Sequence, residues 1–192
     1  GNVVVKTKDG IIIEAEKVLY NKKENLLDAE NSVKVFDTES NNQIISEKVQ
    51  YFKNNEKIIS RGKTFIKLRN FYDLITKDIT FNRKKQIIKS DNLTKIKDNL
   101  GNLLLLDMFS YSVKDKYVRS KGYIEITDRE KNKYFFDDVF IDIKNNKMAG
   151  TNLKIKFNKD LLGDTENDPR LVANSAVITE NKSVIDNGVF TS

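Results

Sequence analysis

The stretch KVLYNKKENLLDAENSVKV (Lys17–Val35) alternates apolar and polar residues, breaks into a knot of Asn, Lys and Glu, then alternates again. Alternation puts every second side chain on one face of a strand, so two such runs around a polar knot predict a β-hairpin with a loop longer than two residues. The first run recurs along the chain. Lys17-Val18-Leu19-Tyr20 is followed by Lys48-Val49-Gln50-Tyr51, Asp78-Ile79-Thr80-Phe81, Met108-Phe109-Ser110-Tyr111, Asp138-Val139-Phe140-Ile141 and Ser175-Ala176-Val177-Ile178. Their last residues lie 31, 30, 30, 30 and 37 residues apart, so a unit near thirty residues occurs six times.

The agreement extends past these anchors. Seven residues after each lies an apolar side chain: Leu27, Ile58, Ile88, Val118, Met148 and Ile185. Nine after it a small residue stands in five copies: Ala29, Ser60, Ser90, Ser120 and Gly150. Eleven after it fall Asn31, Gly62, Asn92, Gly122 and Asn152, with Gly188 one position early in the sixth copy. Gly and Asn tolerate positive φ best, so this position predicts a bend. Between Ala15 and Val18, and between Ser46 and Val49, the same-face spacing slips from two to three. Such a slip predicts a bulge or corner that bends the strand.

No segment carries a sustained helical stripe, so almost no helix is expected. Strands apolar on one face must bury that face against another layer. The expectation is an all-β jellyroll of about six stacked two-strand repeats, a single domain over residues 1–192. Val18, Tyr20, Val49, Tyr51, Ile79, Phe81, Phe109, Tyr111, Val139 and Ile141 point inward. Six units at about 4.8 Å per strand predict a trough roughly 25–30 Å long. The longer last step is absorbed by residues 158–170, whose Gly163 and Asp168-Pro169 predict a surface loop. The outer strands, Asn2-Val3-Val4-Val5 at one end and Gly188-Val189-Phe190 at the other, read as open edges that invite another chain to continue the sheet.

The 34 Lys+Arg and 28 Asp+Glu give a net charge of +6, but both signs are spread along all 192 residues. Aromatics such as Phe71-Tyr72 and Tyr134-Phe135-Phe136 lie between lysines, yet the mixed charge reads as a solvated exterior rather than a nucleic-acid face. Absence of Cys and His removes thiolate chemistry, disulfides, His bases and the common zinc ligands. Asp137-Asp138 and the run Asp164, Glu166, Asp168 read as surface carboxylates, and no phosphate loop or nucleophile motif is present. Neither an enzyme nor a cofactor or metal is expected. No apolar run reaches the ~18 residues of a membrane-spanning helix. The opening GNVVVKTKDG has neither a basic nor an apolar signal region, so a mature or excised segment is expected. The inward set combines large residues with Ala15, Ala29, Ser46, Ser60 and Ser90, which suits either a close-packed core or a groove for apolar chains.

The pattern A-x-x-V-x-Y followed by A-x-(G/N)-x-V-x-V, present as Ala15–Val35, resembles the OstA-like β-jellyroll of lipopolysaccharide transport proteins. The segment DPRLVANSAVITENKSVIDNGVFTS, with Gly188-Val189-Phe190-Thr191, resembles the end of the periplasmic domain in the LptD family of outer-membrane lipopolysaccharide-assembly proteins. In that family a cysteine commonly follows, and here the sequence given ends at Ser192 without one. The resemblance implies a periplasmic segment tethered to the outer membrane through a β-barrel that would follow. It implies lipopolysaccharide as cargo, its lipid A chains riding in an apolar groove. Further implied partners are an LptA-like bridge protein, paired through the edge at Asn2–Lys6, and the barrel with its plug lipoprotein. Lys34, Lys67, Lys95 and Arg119 become candidates for lipid A phosphates. A free-standing LptA-like bridge, and a structural β-solenoid without lipid, are the alternatives.

Overall fold

A computed structural model describes residues 3–69, 71–162 and 168–191. The chain begins with β1 (Val3–Lys6), β2 (Ile11–Ala15), β3 (Lys17–Asn21), β4 (Leu26–Asp37), β5 (Asn42–Phe52) and β6 (Lys57–Leu68). Short strands follow: β7 (Tyr72–Lys77), β8 (Thr80–Asn82), β9 (Ile87–Ser90), β10 (Thr94–Asp98), β11 (Leu103–Leu106) and β12 (Phe109–Ser112). The last are β13 (Tyr117–Thr127), β14 (Lys133–Asp142), β15 (Lys147–Lys156), β16 (Arg170–Thr179), β17 (Ser183–Asp186) and β18 (Val189–Thr191). Among the described residues, helical turns occur only at Lys53–Asn55 and Lys159–Leu162.

Every pairing is antiparallel, and the register sorts the strands into two layers. One layer runs β1-β2-β4-β5-β6-β7-β10-β11-β13-β14-β15-β16-β18. The other runs β3-β4-β5-β6-β8-β9-β12-β13-β14-β15-β16-β17. The long strands belong to both, because each bends through a corner halfway along. Inner faces of the two layers share one apolar core, in which Val35, Ile44, Ile66 and Leu74 meet Ala29, Tyr51, Ile58 and Phe81. The all-β jellyroll of stacked hairpins is therefore present. The trough is longer than expected: the chain supplies thirteen rungs to one layer and twelve to the other, which at about 4.8 Å per rung extend roughly 50–60 Å.

The corner lies where the spacing slips. Registers shift between Glu30 and Val33, between Ser46 and Lys48, and between Lys121 and Ile124. Asn31, Gly62, Gly122 and Asn152 have the expected positive φ. Asn92 does not adopt it; its side-chain amide donates instead to Lys77 O at 2.9 Å. In the sixth unit Asn187, not Gly188, turns left-handed. The small residues nine after each anchor line the inside of this corner, where bending pulls backbone groups out of the ladder. Ser60 Oγ accepts from Ile79 N at 3.1 Å, and Ser90 Oγ lies 3.1 Å from Lys77 O. Thr64 and Ser46 join Ser60, and Thr94 and Thr76 join Ser90, giving buried hydroxyl clusters. These hydroxyls satisfy buried polar atoms that apolar residues would leave unpaired.

Candidate functional site

Opposite the corner, the turns of the two layers face each other, and they meet differently in the two halves of the stack. In the half nearer the N-terminus they are bolted together. Arg83, in the turn between β8 and β9, is 3% exposed and forks onto Asp37 at the end of β4, with Nε–Oδ2 3.0 Å and Nη2–Oδ1 3.1 Å. It also reaches Asp9 Oδ2 at 3.1 Å, Asp9 O at 2.9 Å and Glu39 at 3.3 Å. The Tyr51 hydroxyl donates to the same Asp9 carboxylate. Burial alone would raise the Asp37 carboxyl, but hydrogen bonds from Arg83 and Ser40 overcome it and hold it below its ordinary value. Asp9 is lowered likewise, burial being outweighed by bonds that include Tyr51 and by the Arg83 charge.

Beyond this bolt the layers part. A cavity of about 500 Å³ opens between them, within the ~300–1,000 Å³ typical of ligand sites. One wall is Leu68, Tyr72, Leu74, Ile96, Leu104 and Ile126; the other is Phe109, Tyr111, Val118, Ile141, Met148 and Ile178. The Tyr72 and Tyr111 rings meet edge to face at 6.4 Å. Burial raises both phenols, as it does Tyr134, pushed up to about 12 with help from Asp128, so these hydroxyls stay protonated. The lips are acidic and amide-rich: Asp98, Asn102 and Asp128 on one side, Asp142, Asn146 and Glu180 with Lys147 on the other. Their carboxylates shape turns. Asp98 accepts from Asn102 N at 2.8 Å and Nδ2 at 2.7 Å, and Asp128 repeats this with Asn132 at 2.8 and 2.9 Å.

A smaller cavity of about 210 Å³ adjoins the cleft near the bolt, sharing Leu68, Tyr72, Tyr111 and Ile143 with it. Asn42 projects there from the start of β5. It is 2% exposed, and neither its amide nitrogen nor its oxygen has a hydrogen-bond partner among the described residues. Arg69 and Lys116 also line this cavity, and no carboxylate among the described residues does.

Among the inward residues read from sequence, Phe109, Tyr111 and Ile141 line the cleft. Val49, Tyr51, Ile79 and Phe81 are sealed in the bolted half, Phe81 at 1% exposure, and Val139 is buried beside the corner. These five fill core and do not line the cleft. Val18 is half-buried, and Tyr20 is 44% exposed although it pairs across from buried Leu27. The reason is position: β3 has a neighbouring strand on one side only, so Tyr20 is capped by the Lys53 ammonium 5.4 Å from its ring centroid instead of by another strand. Val3, Val4 and Val5 form β1, hydrogen-bonded to β2 alone; Asn2 falls outside the described residues. Gly188 precedes β18, in which Val189 and Phe190 are exposed and pair only with β16. Lys34, Lys67 and Lys95 stand exposed on the outer face of one layer, and Arg119 on the other, where it stacks over Tyr117 and Phe140 at 5.3 and 5.4 Å. They do not rim the cleft, because their parity directs them away from it. Sequence reasoning missed the Arg83 bolt and Asn42. It also missed Asp98/Asn102 and Asp128/Asn132, thirty residues apart, whose four-residue spacing was a readable turn signal. No protein-family model matches this chain, and comparison with curated proteins gave no match.

Proposed function

We propose that the chain carries lipid acyl chains in the cleft between its two layers, as the jellyroll segment of a lipopolysaccharide-transport assembly. The observation that carries this reading is the laterally open, apolar cavity of about 500 Å³ in a jellyroll whose other half is closely packed. Burial there stabilises a chain by ~25 cal/mol per Å² of apolar surface, with no catalytic group required. A wall of Leu, Ile and aromatic side chains without a single deep pocket lets a chain shift between sites of similar energy. The open edges of β1 and β3 at one end, and of β17 and β18 at the other, support docking to an LptA-like bridge and onward delivery toward a barrel at the outer membrane. That identity of cargo and partners comes from the sequence resemblance.

Site-specific photo-crosslinking to lipopolysaccharide tests it. A probe at Leu104 should form an adduct, and one at Lys89 on the outer face should not. Phe81 serves as a second control, because it lies in the bolted half. Lack of an adduct at Leu104, Tyr111 and Ile141 alike would sink the lipid reading. The sealed core around Tyr51 and Phe81 would then favour a structural β-solenoid.

A further inference from the structure

We infer that the cavity at Asn42 receives the anionic head of a single-chain amphiphile, a fatty-acid carboxylate, whose tail lies in the cleft; this rests on the cleft holding an acyl chain. A buried amide with both polar atoms unpaired is rare in a folded protein, since each unmet bond carries the desolvation penalty of its group. Asn42 stands on the inner face between Leu68 on β6 and Asp37 on β4, whose carboxylate is spent on Arg83 and not on the amide. A hydrophobe would pack there without penalty. The amide therefore answers a partner that the protein does not itself supply.

The surroundings specify that partner. Arg69 and Lys116 line the cavity and no acid among the described residues does, whereas Asp98, Asp128, Asp142 and Glu180 gather at the cleft's lips. An anionic head is drawn to the Asn42 end and repelled from the lips. Both amide atoms are sealed in the ligand-free chain, so the carboxylate pairs with Lys116 and accepts from Asn42 Nδ2 once that side chain turns toward the cavity. Neither the Tyr72 nor the Tyr111 hydroxyl bonds to another protein group among the described residues, so both remain free to donate where the two cavities join. The shared walls at Leu68, Tyr72 and Tyr111 then lead the tail into the larger space.

Calorimetric titration with palmitate and with its methyl ester, on the wild-type chain and on Asn42→Leu, tests this. Wild type should bind palmitate at least tenfold more tightly than the ester. Asn42→Leu should weaken palmitate by roughly tenfold to a hundredfold, the loss of a hydrogen bond to a charged group, and leave the ester unchanged. The ligand-free Asn42→Leu protein should melt no lower than wild type, because an unpaired buried amide has been removed; a merely structural Asn42 would give a lower melting temperature. If palmitate and ester bind alike, or if Asn42→Leu keeps the preference for palmitate, the head pocket is overturned while the cleft stands. If neither ligand binds wild type, both readings fall.

Discussion

Arg83 illustrates how one buried side chain decides the shape of half the molecule. Its fork meets the two Asp37 oxygens, and Asp9, Glu39 and Tyr51 complete the network across the turns. Removing one partner of such a buried pair strands the other charge, which costs about 3–5 kcal/mol. Arg83→Met should therefore lower stability by that amount in urea denaturation, and the Arg83→Met/Asp37→Leu pair should recover most of it. The same network fixes an acid limb. Asp37 and Asp9 have folded-state values below their unfolded ones, so their contribution is complete above about pH 4, the unfolded carboxylate range, and is lost as pH falls through the folded values. Melting temperature should drop steeply below that range in wild type, and more gently in Arg83→Met. A second residue-scale constraint lies at Gly150, where an added Cβ would stand 2.5 Å from Phe136 and 2.6 Å from the Asp138 carbonyl. Because one of these is backbone, Gly150→Ala should cost about 1–3 kcal/mol, measured in the same way.

At the scale of elements, the two ends differ from the middle in having strands with one neighbour. β1 pairs with β2 alone, and Val4 within it is 55% exposed. Edge strands accept proline but lose a donor. Val4→Pro should thus weaken capture of an LptA-like bridge in a pull-down and leave the melting temperature nearly unchanged. Retained capture would move the docking edge elsewhere, with β3 and Leu19 the next to test. Much of this level was legible in the sequence. Alternation named the strands, the three-residue slip at Ser46–Val49 named the corner, and Asn31, Gly62 and Gly122 marked its left-handed turns. Such signals are local, spanning a few residues. Counting rungs failed because the pattern does not reveal that β4, β5 and β6 each serve both layers; that follows from the bend being sharp enough to reverse the sheet. Tyr20 failed for a related reason, since parity gives a direction but not what covers the residue.

For the molecule as a whole, the contrast between a bolted half and an open half was not legible, because it rests on contacts between distant turns. Arg83 reaches Asp9 across 74 residues and Asp37 across 46, and no local pattern announces either. Further along, the turns of one lip carry carboxylates spent on their own backbone, as at Asp98 and Asp128, and among the described residues no ion pair ties either to the opposite lip. The layers there stay apart, and apolar surface that would otherwise close is left as a cleft. An empty apolar cleft forgoes contacts that an acyl chain restores, so occupancy should stabilise the fold. A ligand at a hundred times its dissociation constant adds about 2.7 kcal/mol. For a chain of this length that corresponds to a rise of roughly 5–10 °C in melting temperature. Leu104→Trp fills the cleft from one wall without touching the bolt. It should abolish the rise on adding lipid while leaving the ligand-free melting temperature equal or higher, as read by thermal unfolding with and without lipopolysaccharide. A Leu104→Trp protein that still gained the full shift would place lipid on another surface, and the opening between the layers would then be a packing gap of the fold alone.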